Sequence, residues 1–296
     1  MRWLCAAIFA RTFKHADRAG TRFLTDTSHT LLPRLRLGLA LFAVGIGTTL
    51  VAVSQYTILK TGIASEHFVP RMWHKLITRL LGMRVHVEGR MSQDRPLLLA
   101  ANHISWTDIM VIGGIANLHF VAKAEVGRWP LMGKLSRLQR TVFVERENRR
   151  ASGEQASELG RRLAEGDVML LYAEGSTSDG NVILPFKSTL FGAAQMAIAE
   201  TDLERVTVQS VTIAYSRLHG MPMGRFHRRH TAWIGDRKLW PHIQAMLGEG
   251  GIDVEVRFGE PVEFTAATNR KEIARQLEGE VRSTMAAILH DPPVRK

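Results

Sequence analysis

Residues 96–108 read PLLLAANHISWTD and contain the pattern on which the whole domain is built. The run Pro96–Ala101 is apolar and predicts a buried strand. A polar turn follows, and the apolar stretch Trp106–Ile115 predicts a helix. A strand that ends in a polar turn before a helix is the junction at which α/β enzymes place reactive groups. These residues therefore indicate both a fold class and a candidate site.

Short apolar runs continue to alternate with amphipathic stretches from about residue 65 onward, which is typical of an α/β domain. Further strands are predicted at Arg84–Glu88, His119–Ala122, Arg140–Val144, Asp167–Tyr172, Val206–Ala214, Thr231–Ile234 and Asp253–Phe258. Further helices are predicted at Ser65–Leu81, Pro130–Leu138, Ala151–Glu165, Leu190–Ala199, Pro241–Leu247 and Ala267–Ala287. Residues 65–296 are thus interpreted as one α/β domain.

The composition of the chain points to an anionic partner. Its 296 residues include 39 Lys and Arg against 28 Asp and Glu, a formal net charge of +11. Such a charge suits nucleic acid, a lipid headgroup surface or an acidic carrier. The single cysteine, Cys5, excludes an intrachain disulfide and a cysteine-based zinc cluster, and it agrees with a reducing compartment.

The segment Leu37–Leu59 is a run of 23 residues without a charge. As a helix it would be roughly 34 Å long, enough for a hydrocarbon core of about 30 Å. We expect residues 1–64 to form a basic segment and membrane anchor, either a spanning helix or a monotopic hairpin. Basic residues at both ends slightly favour a hairpin with both ends in the cytoplasm. The alternative is a buried core helix of a soluble protein.

His103 and Asp108 are the first candidate for catalysis. They are five residues apart across the turn after the strand, so the carboxylate of Asp108 can hold the imidazole Nδ1–H. Nε2 would then face outward as a general base. The alternative is purely structural: Ser105 or Thr107 caps the helix, and Asp108 complements the helix dipole.

The second candidate is the stretch AEGSTSDG, residues 173–180, directly after another predicted strand. Its small residues would let a ligand approach the backbone, and Glu174 at a strand end is a candidate functional acid. An ordinary polar turn is the alternative. Ser178 also fits a degenerate nucleophile-elbow pattern of a serine hydrolase, although the first glycine of that pattern is missing.

Two basic residues end other predicted strands. Lys123 and Arg146 could together form a positive floor for a phosphate or a carboxylate. The stretch Arg225–His230 has an H-x-x-H spacing, but no cysteine or well-placed acid completes a metal site, so a basic membrane-facing loop is favoured. The sequence contains no dinucleotide-binding or P-loop motif.

Four ordered stretches resemble the blocks of the glycerolipid acyltransferases, the lysophosphatidic acid acyltransferase family. NHISWTD resembles its N-H-x-x-x-x-D block, FVAKAEVGRWPLMG with RTVFVER its second block, YAEGSTSDG its E-G-T-R block, and VTVQSVTIAY its fourth. The resemblance covers roughly Pro96–Tyr215. It implies a mixed sheet flanked by helices, an active site at the strand ends, and an N-terminal membrane segment.

The resemblance also implies a reaction, the transfer of a fatty acyl group from a thioester to a hydroxyl of a lysolipid. His103 would take the hydroxyl proton, and Asp108 would hold the imidazole and stabilise the imidazolium. Lys123 or nearby amides would stabilise the oxyanion, and Arg146 could clamp the headgroup. Acyl-ACP or acyl-CoA would be the co-substrate, with no metal or other cofactor. The expected partners are a membrane lipid acceptor, that thioester and an anionic membrane surface, with no nucleic acid. The catalytic domain would face the cytoplasm at the inner membrane.

The sequence departs from the family at the headgroup block. Glu174, Gly175, Ser176 and Thr177 stand where the family has E-G-T-R, so Thr177 replaces the arginine thought to meet the acceptor phosphate. The stretches EGSTSDGN and LHGMPMGR resemble a bacterial subgroup that includes lyso-ornithine lipid acyltransferases. The acceptor therefore stays open between lysophosphatidic acid and lyso-ornithine lipid. A serine hydrolase using Ser178 and a non-catalytic basic membrane-binding protein are the other interpretations.

Overall fold

The computed structural model describes residues 28–144, 158–200, 203–235 and 237–292. The chain divides into two compact units, between Val69 and Pro70. The first unit contains helix α1, Ser28–Thr61, so the uncharged run Leu37–Leu59 is helical as predicted. In the described part of the chain, no helix combines the length and the apolarity needed to cross a membrane. The membrane anchor and the domain boundary at residue 65 stay predictions.

Helix α2 begins at the end of the first unit, and the remaining elements belong to the second. The helices after α1 are α2 (Phe68–Leu80), α3 (Thr107–Ile115), α4 (Ala124–Arg128), α5 (Met132–Leu138), α6 (158–164), α7 (Gly192–Glu200), α8 (Arg225–Thr231), α9 (Leu239–Glu249) and α10 (Arg270–His290). A short 3-10 helix, Ser188–Phe191, precedes α7. The strands are β1 (Met83–Glu88), β2 (Leu97–Ala101), β3 (His119–Lys123), β4 (Val142–Val144), β5 (Val168–Tyr172), β6 (Arg205–Leu218), β7 (Met221–Pro222) and β8 (Ile252–Thr265).

The strands form one mixed sheet in the order β1-β8-β6-β2-β5-β3-β4, with β7 paired to β6. Strands β2 to β6 run parallel, whereas β8 is antiparallel to β6 and parallel to β1. Every residue of β2 and β5 is buried, as expected for central parallel strands covered on both faces. Alternate residues of β2 face two cores: Leu98 packs in the core that includes Leu277 of α10, and Leu99 in the core that includes Ile112 of α3. The predicted mixed sheet flanked by helices is confirmed.

Two sequence predictions around residue 230 are wrong. The basic stretch Arg225–His230, predicted as a loop, is helical, because it belongs to α8. The predicted strand Thr231–Ile234 does not form, since Thr231 ends α8 and the next three residues have no strand partner. The backbone N–H of Trp233 instead donates to the carbonyl of Ile104, 2.9 Å away. A single hydrogen bond therefore joins this segment to the turn after β2.

Candidate active site

The parallel register of the central strands brings the ends of β2 and β5 to one edge of the sheet, beside the middle of β6. Ala101, the last residue of β2, is in register with Tyr172 of β5 and with Val211 of β6. Asn102 then extends the β2–β6 ladder with its side chain: Nδ2 donates to the Ile213 carbonyl at 2.9 Å, and Oδ1 accepts from the Ile213 N–H at 2.7 Å. The residues that follow β2 and β5 consequently meet at this edge.

His103 and Asp108 form the dyad that their spacing predicts. Nδ1 of His103 lies 2.8 Å from Oδ2 of Asp108. Because a carboxylate only accepts hydrogen bonds, Nδ1 carries the hydrogen in this pair. In the neutral imidazole Nε2 therefore has the free lone pair. The dyad has the tautomer that a general base requires.

Asp108 is completely buried and is satisfied as an anion. Its Oδ2 accepts the backbone N–H groups of Ile104 and Ser105 at 2.7 and 2.9 Å, and its Oδ1 accepts the hydroxyl of Tyr215 at 2.6 Å. Burial, and then the charge of Asp108, raise the pKa of Tyr215 well above its usual value, so this phenol stays protonated and donates. These donors compensate the burial of the carboxylate and fix its position.

The imidazole of His103 is fixed on one face and open at one edge. Its ring stacks on Tyr172 with centroids 3.8 Å apart and planes 13° apart. The side chain keeps 18% of its surface exposed, and Nε2 has no hydrogen-bond partner among the described residues. The free lone pair of Nε2 is therefore available to a substrate hydroxyl.

The loop after β5 holds the backbone of His103. Oε1 of Glu174 accepts the His103 N–H at 2.8 Å, and Oε2 accepts the Leu184 N–H at 2.8 Å. From the other side, the N–H of Ser178 donates to the His103 carbonyl at 2.8 Å. Burial raises the pKa of Glu174 to about 7 despite these two hydrogen bonds. The Glu174 side chain thus binds the backbone of His103, while the predicted contact of Glu174 with substrate stays a prediction.

The other predicted site residues differ in how well the structure locates them. Gly175 donates its N–H to the Tyr172 carbonyl at 3.0 Å in the turn after β5, and Ser176 is exposed. Lys123 ends β3 with an exposed side chain, in register with Val144, the last residue of β4. Arg146 lies outside the described residues.

The hydroxyl groups of Thr177 and Ser178 each have a hydrogen-bond partner within the protein. The Thr177 hydroxyl donates to the carbonyl of Trp233 at 2.5 Å. Ser178 is buried, and within the described ranges its Oγ accepts only the N–H of Gly180, at 3.5 Å, and forms no hydrogen bond with a histidine side chain. A serine nucleophile needs an adjacent base, and no helix directly follows this turn as a nucleophile elbow requires. The geometry does not favour the serine hydrolase interpretation.

Sequence reasoning missed two side-chain contacts, one to the dyad and one beside it. Tyr215 ends the stretch VTVQSVTIAY, but only the fold shows that its hydroxyl reaches Asp108. Trp106, inside NHISWTD, donates its indole N–H to Nδ1 of His242 at 2.9 Å, and Nε2 of His242 lies 2.9 Å from the His230 carbonyl. Since Nδ1 accepts, Nε2 carries the hydrogen, and burial lowers the pKa of His242 in agreement with this neutral form.

Three comparisons with known proteins agree with this geometry. The family model described as Acyltransferase matches residues 83–216, which include the dyad and Tyr215. The lyso-ornithine lipid O-acyltransferase of Brucella abortus is 49% identical over 235 residues, covering 79% of this chain and 88% of the relative. The protein of that name from Rhizobium meliloti is 45% identical over 246 residues, covering 81% and 84%.

The fold also has a solved counterpart. The crystal structure of the 1-acyl-sn-glycerophosphate acyltransferase from Thermotoga maritima superposes with a TM-score of 0.56 at 21% identity, covering 85% of this chain and 99% of that one. At this identity the likeness concerns the fold. The identity to the two bacterial relatives over most of their length, with the match to the family model, establishes that this chain belongs to the acyltransferase family.

Proposed function

We propose that this protein is a membrane-bound lysolipid O-acyltransferase whose acceptor is lyso-ornithine lipid. The observation that carries the enzymatic part is the His103–Asp108 dyad, in which Nδ1 is held by a buried carboxylate and Nε2 is free. The acyl donor is a thioester, acyl-ACP or acyl-CoA. A thioester needs no metal to be attacked, whereas an alcohol needs a base in the transition state.

The reaction follows from the free nitrogen. Nε2 of His103 removes the proton of the acceptor hydroxyl as its oxygen attacks the thioester carbonyl. The imidazolium that forms is stabilised by the Asp108 carboxylate 2.8 Å from Nδ1. When the tetrahedral intermediate collapses, the C–S bond breaks and the thiolate takes the proton back from Nε2. No acyl-enzyme is needed, and Lys123 or nearby amides stabilise the oxyanion.

The acceptor is inferred from the relatives and from Thr177. Both bacterial relatives described above carry the name lyso-ornithine lipid O-acyltransferase. Lyso-ornithine lipid presents a carboxylate and an ammonium, and a neutral hydroxyl at position 177 avoids repelling that ammonium. The Thr177 hydroxyl is engaged by the Trp233 carbonyl, so it does not replace the phosphate contact of the missing arginine. Lysophosphatidic acid is the second candidate acceptor, because the Thermotoga protein of the same fold is a lysophosphatidic acid acyltransferase.

Membrane attachment at the cytoplasmic face of the inner membrane is part of the proposal. The uncharged run Leu37–Leu59 supports it, and four apolar side chains of α1 are 45 to 62% exposed: Ile46, Leu50, Val53 and Tyr56. The basic surface would add attraction to anionic lipid of about 1 kcal/mol per well-placed cation. Removal of residues 1–60 should release much of the protein from membranes, and high salt should release the rest. Full-length protein that washes off with salt alone would contradict insertion.

The test of the proposed reaction offers both acceptors side by side. Full-length enzyme in membranes receives acyl-ACP or acyl-CoA with lyso-ornithine lipid, with lysophosphatidic acid, or with both. We expect transfer to lyso-ornithine lipid to dominate and His103→Ala to abolish it, with membrane content and thermal stability unchanged. Preference for lysophosphatidic acid would refute the acceptor. Wild-type turnover by His103→Ala would refute the mechanism.

A further inference from the structure

Arg228 is a buried cation whose hydrogen bonds, among the described residues, go to neutral groups. It lies in α8, and only 8% of its surface is exposed. Its Nε donates to Oδ1 of Asn181 at 2.9 Å and its Nη1 to the carbonyl of Met223, both neutral acceptors. No acid of the described ranges forms a salt bridge with it.

Such an arrangement is unfavourable unless an anion completes it. Buried charges in proteins are normally paired, because removing an unpaired charge from water is unfavourable. Burial, and then the neighbouring charge of Arg225, lower the pKa of Arg228, and the charge of Asp179 opposes this. The carboxylate of Asp179 is itself held by the N–H and Nδ2 of Asn181. The guanidinium of Arg228 is therefore largely removed from water, and within the described residues no salt bridge neutralises it.

The loop that contacts His103 also contacts Arg228. Ser178 donates to the His103 carbonyl, and Asn181, three residues on, accepts from Arg228. Gly180 lies between them: a Cβ added there would be 3.3 Å from Ile104 Cγ2 and 3.8 Å from Arg228 Cβ. Nη2 of Arg228 has no hydrogen-bond partner in the described part of the chain and is not among its buried unpartnered atoms. This nitrogen is thus not fully buried, and the loop that binds the His103 backbone also binds the Arg228 side chain through Asn181.

We propose that Arg228 binds the anionic group of the acceptor headgroup, in place of the arginine that is absent at position 177. The group is a carboxylate in lyso-ornithine lipid and a phosphate in lysophosphatidic acid, and the guanidinium suits both. This inference rests on the proposed function. It makes Arg228 a determinant of acceptor binding, whereas the proton transfer stays with His103.

The test removes the charge from each partner in turn. Wild-type enzyme and Arg228→Gln are assayed with lyso-ornithine lipid and with its methyl ester, which lacks the carboxylate and keeps the ammonium. We expect wild type to prefer the acid over the ester by about 10- to 100-fold in kcat/KM, mostly through KM. In Arg228→Gln this ratio should fall to near one. Arg229→Gln, an exposed arginine of the same helix, is the matched control and should keep the wild-type ratio.

Other outcomes overturn the inference. A purely structural role for Arg228 would lower activity on acid and ester equally and leave their ratio unchanged. An increase in KM for the thioester alone would assign the anion to the donor. If Arg228→Gln does not fold, Arg228→Lys is the second variant, because it keeps the charge without the planar fork. It should retain part of the preference for the acid over the ester. A ratio equal to that of wild type, or complete loss of the preference, contradicts guanidinium binding.

Equilibrium binding separates this inference from the reaction itself. Binding of the acid and the ester to His103→Ala, with and without Arg228→Gln, requires no turnover. Loss of the acid preference in the double variant supports the role of Arg228 even if wild type transfers no acyl group. Equal binding of acid and ester by His103→Ala overturns it even if transfer occurs.

Discussion

The Asp108→Asn variant separates the two tasks of the aspartate, holding the imidazole and supplying a charge. Oδ2 of Asp108 accepts three hydrogen bonds, from His103 Nδ1 and from the N–H groups of Ile104 and Ser105, whereas Oδ1 accepts the Tyr215 hydroxyl. An asparagine amide in this position has one oxygen and one NH₂ group. Its orientation decides whether the catalytic tautomer survives.

The two backbone donors fix that orientation. An NH₂ group cannot face the N–H groups of Ile104 and Ser105, so the amide oxygen takes the place of Oδ2 and still accepts from His103 Nδ1. The NH₂ group then points at the Tyr215 hydroxyl, which lies 2.6 Å from Oγ1 of Thr107. Because either hydroxyl of that pair can donate, their hydrogens turn and every bond is kept. The asparagine variant retains the tautomer and loses only the charge.

The size of the loss follows from this geometry. A hydrogen bond to a charged group contributes about 1.5–3 kcal/mol and a neutral one about 0.5–1.5 kcal/mol. Loss of the charge opposite the imidazolium should therefore raise the barrier by about 1–3 kcal/mol, or lower kcat roughly 5- to 150-fold. Loss of the tautomer would lower it by about 10⁴-fold, as in the serine protease triad.

The assay compares single-turnover transfer by wild type, Asp108→Asn and His103→Ala at saturating donor. Thermal unfolding of Asp108→Asn should stay close to that of wild type, since its hydrogen bonds persist. Asp108→Ala is the contrasting variant, because it leaves the donors around it unpaired and should be strongly destabilised. Wild-type kcat in Asp108→Asn would show that the charge is not used. A fall to the His103→Ala background would show that the amide orientation deduced above is wrong.

Three further predictions concern residues around the dyad. The pKa of Glu174 is about 7 in the folded protein, against 4.5 for an ordinary glutamate. The contribution of Glu174 to the free energy of unfolding is therefore complete below about pH 4.5 and is lost as the pH rises through about 7. The free energy of unfolding of wild type relative to Glu174→Gln should thus fall between pH 5 and 8 in denaturant titrations; a difference that grows with pH contradicts this. Thr177→Arg should shift the acceptor ratio toward lysophosphatidic acid by up to about 10- to 100-fold. Thr177→Val loses the bond to Trp233 without adding charge, so it should leave the acceptor ratio unchanged. An unchanged ratio in Thr177→Arg would mean that position 177 does not touch the headgroup. Trp106→Phe removes the donor to His242 and should lower the unfolding free energy by about 0.5–1.5 kcal/mol. If the two side chains are coupled, His242→Phe should cost less in the Trp106→Phe variant than in wild type, although it also removes the bond to the His230 carbonyl.

The sequence predicts the dyad and the central strands well because both depend on local information. The five-residue spacing of His103 and Asp108 across one turn brings their side chains together whatever the rest of the fold does. Strands β2 and β5 are continuous apolar runs, and each begins within one residue of its predicted start and ends where predicted. Helices with clear apolar periodicity, such as α10, are likewise found with ends shifted by a few residues.

Long-range pairing explains what the sequence does not predict. Strand β6 extends four residues beyond its predicted end, because Tyr215 to Leu218 pair with the start of β8. Those residues alone show no clear strand alternation. Thr231–Ile234 contains residues that favour strands, yet Thr231 ends helix α8, the segment pairs with no described strand, and Trp233 binds instead to the Ile104 carbonyl. Intrinsic preference is overridden by the available partners in both segments.

The same division between local and long-range effects explains how the base is positioned. Spacing brings Asp108 to His103, but the direction of Nε2 depends on where the His103 backbone leaves the sheet. Asn102 sets that point, because its side chain takes over the ladder bonds to Ile213 and releases the next residue from β6. Glu174 and Ser178 then bind the freed N–H and carbonyl of His103. We therefore expect Asn102→Leu to lower kcat although the residue touches neither substrate nor imidazole, whereas a wild-type kcat in a folded Asn102→Leu would show that the β5 loop alone positions the base.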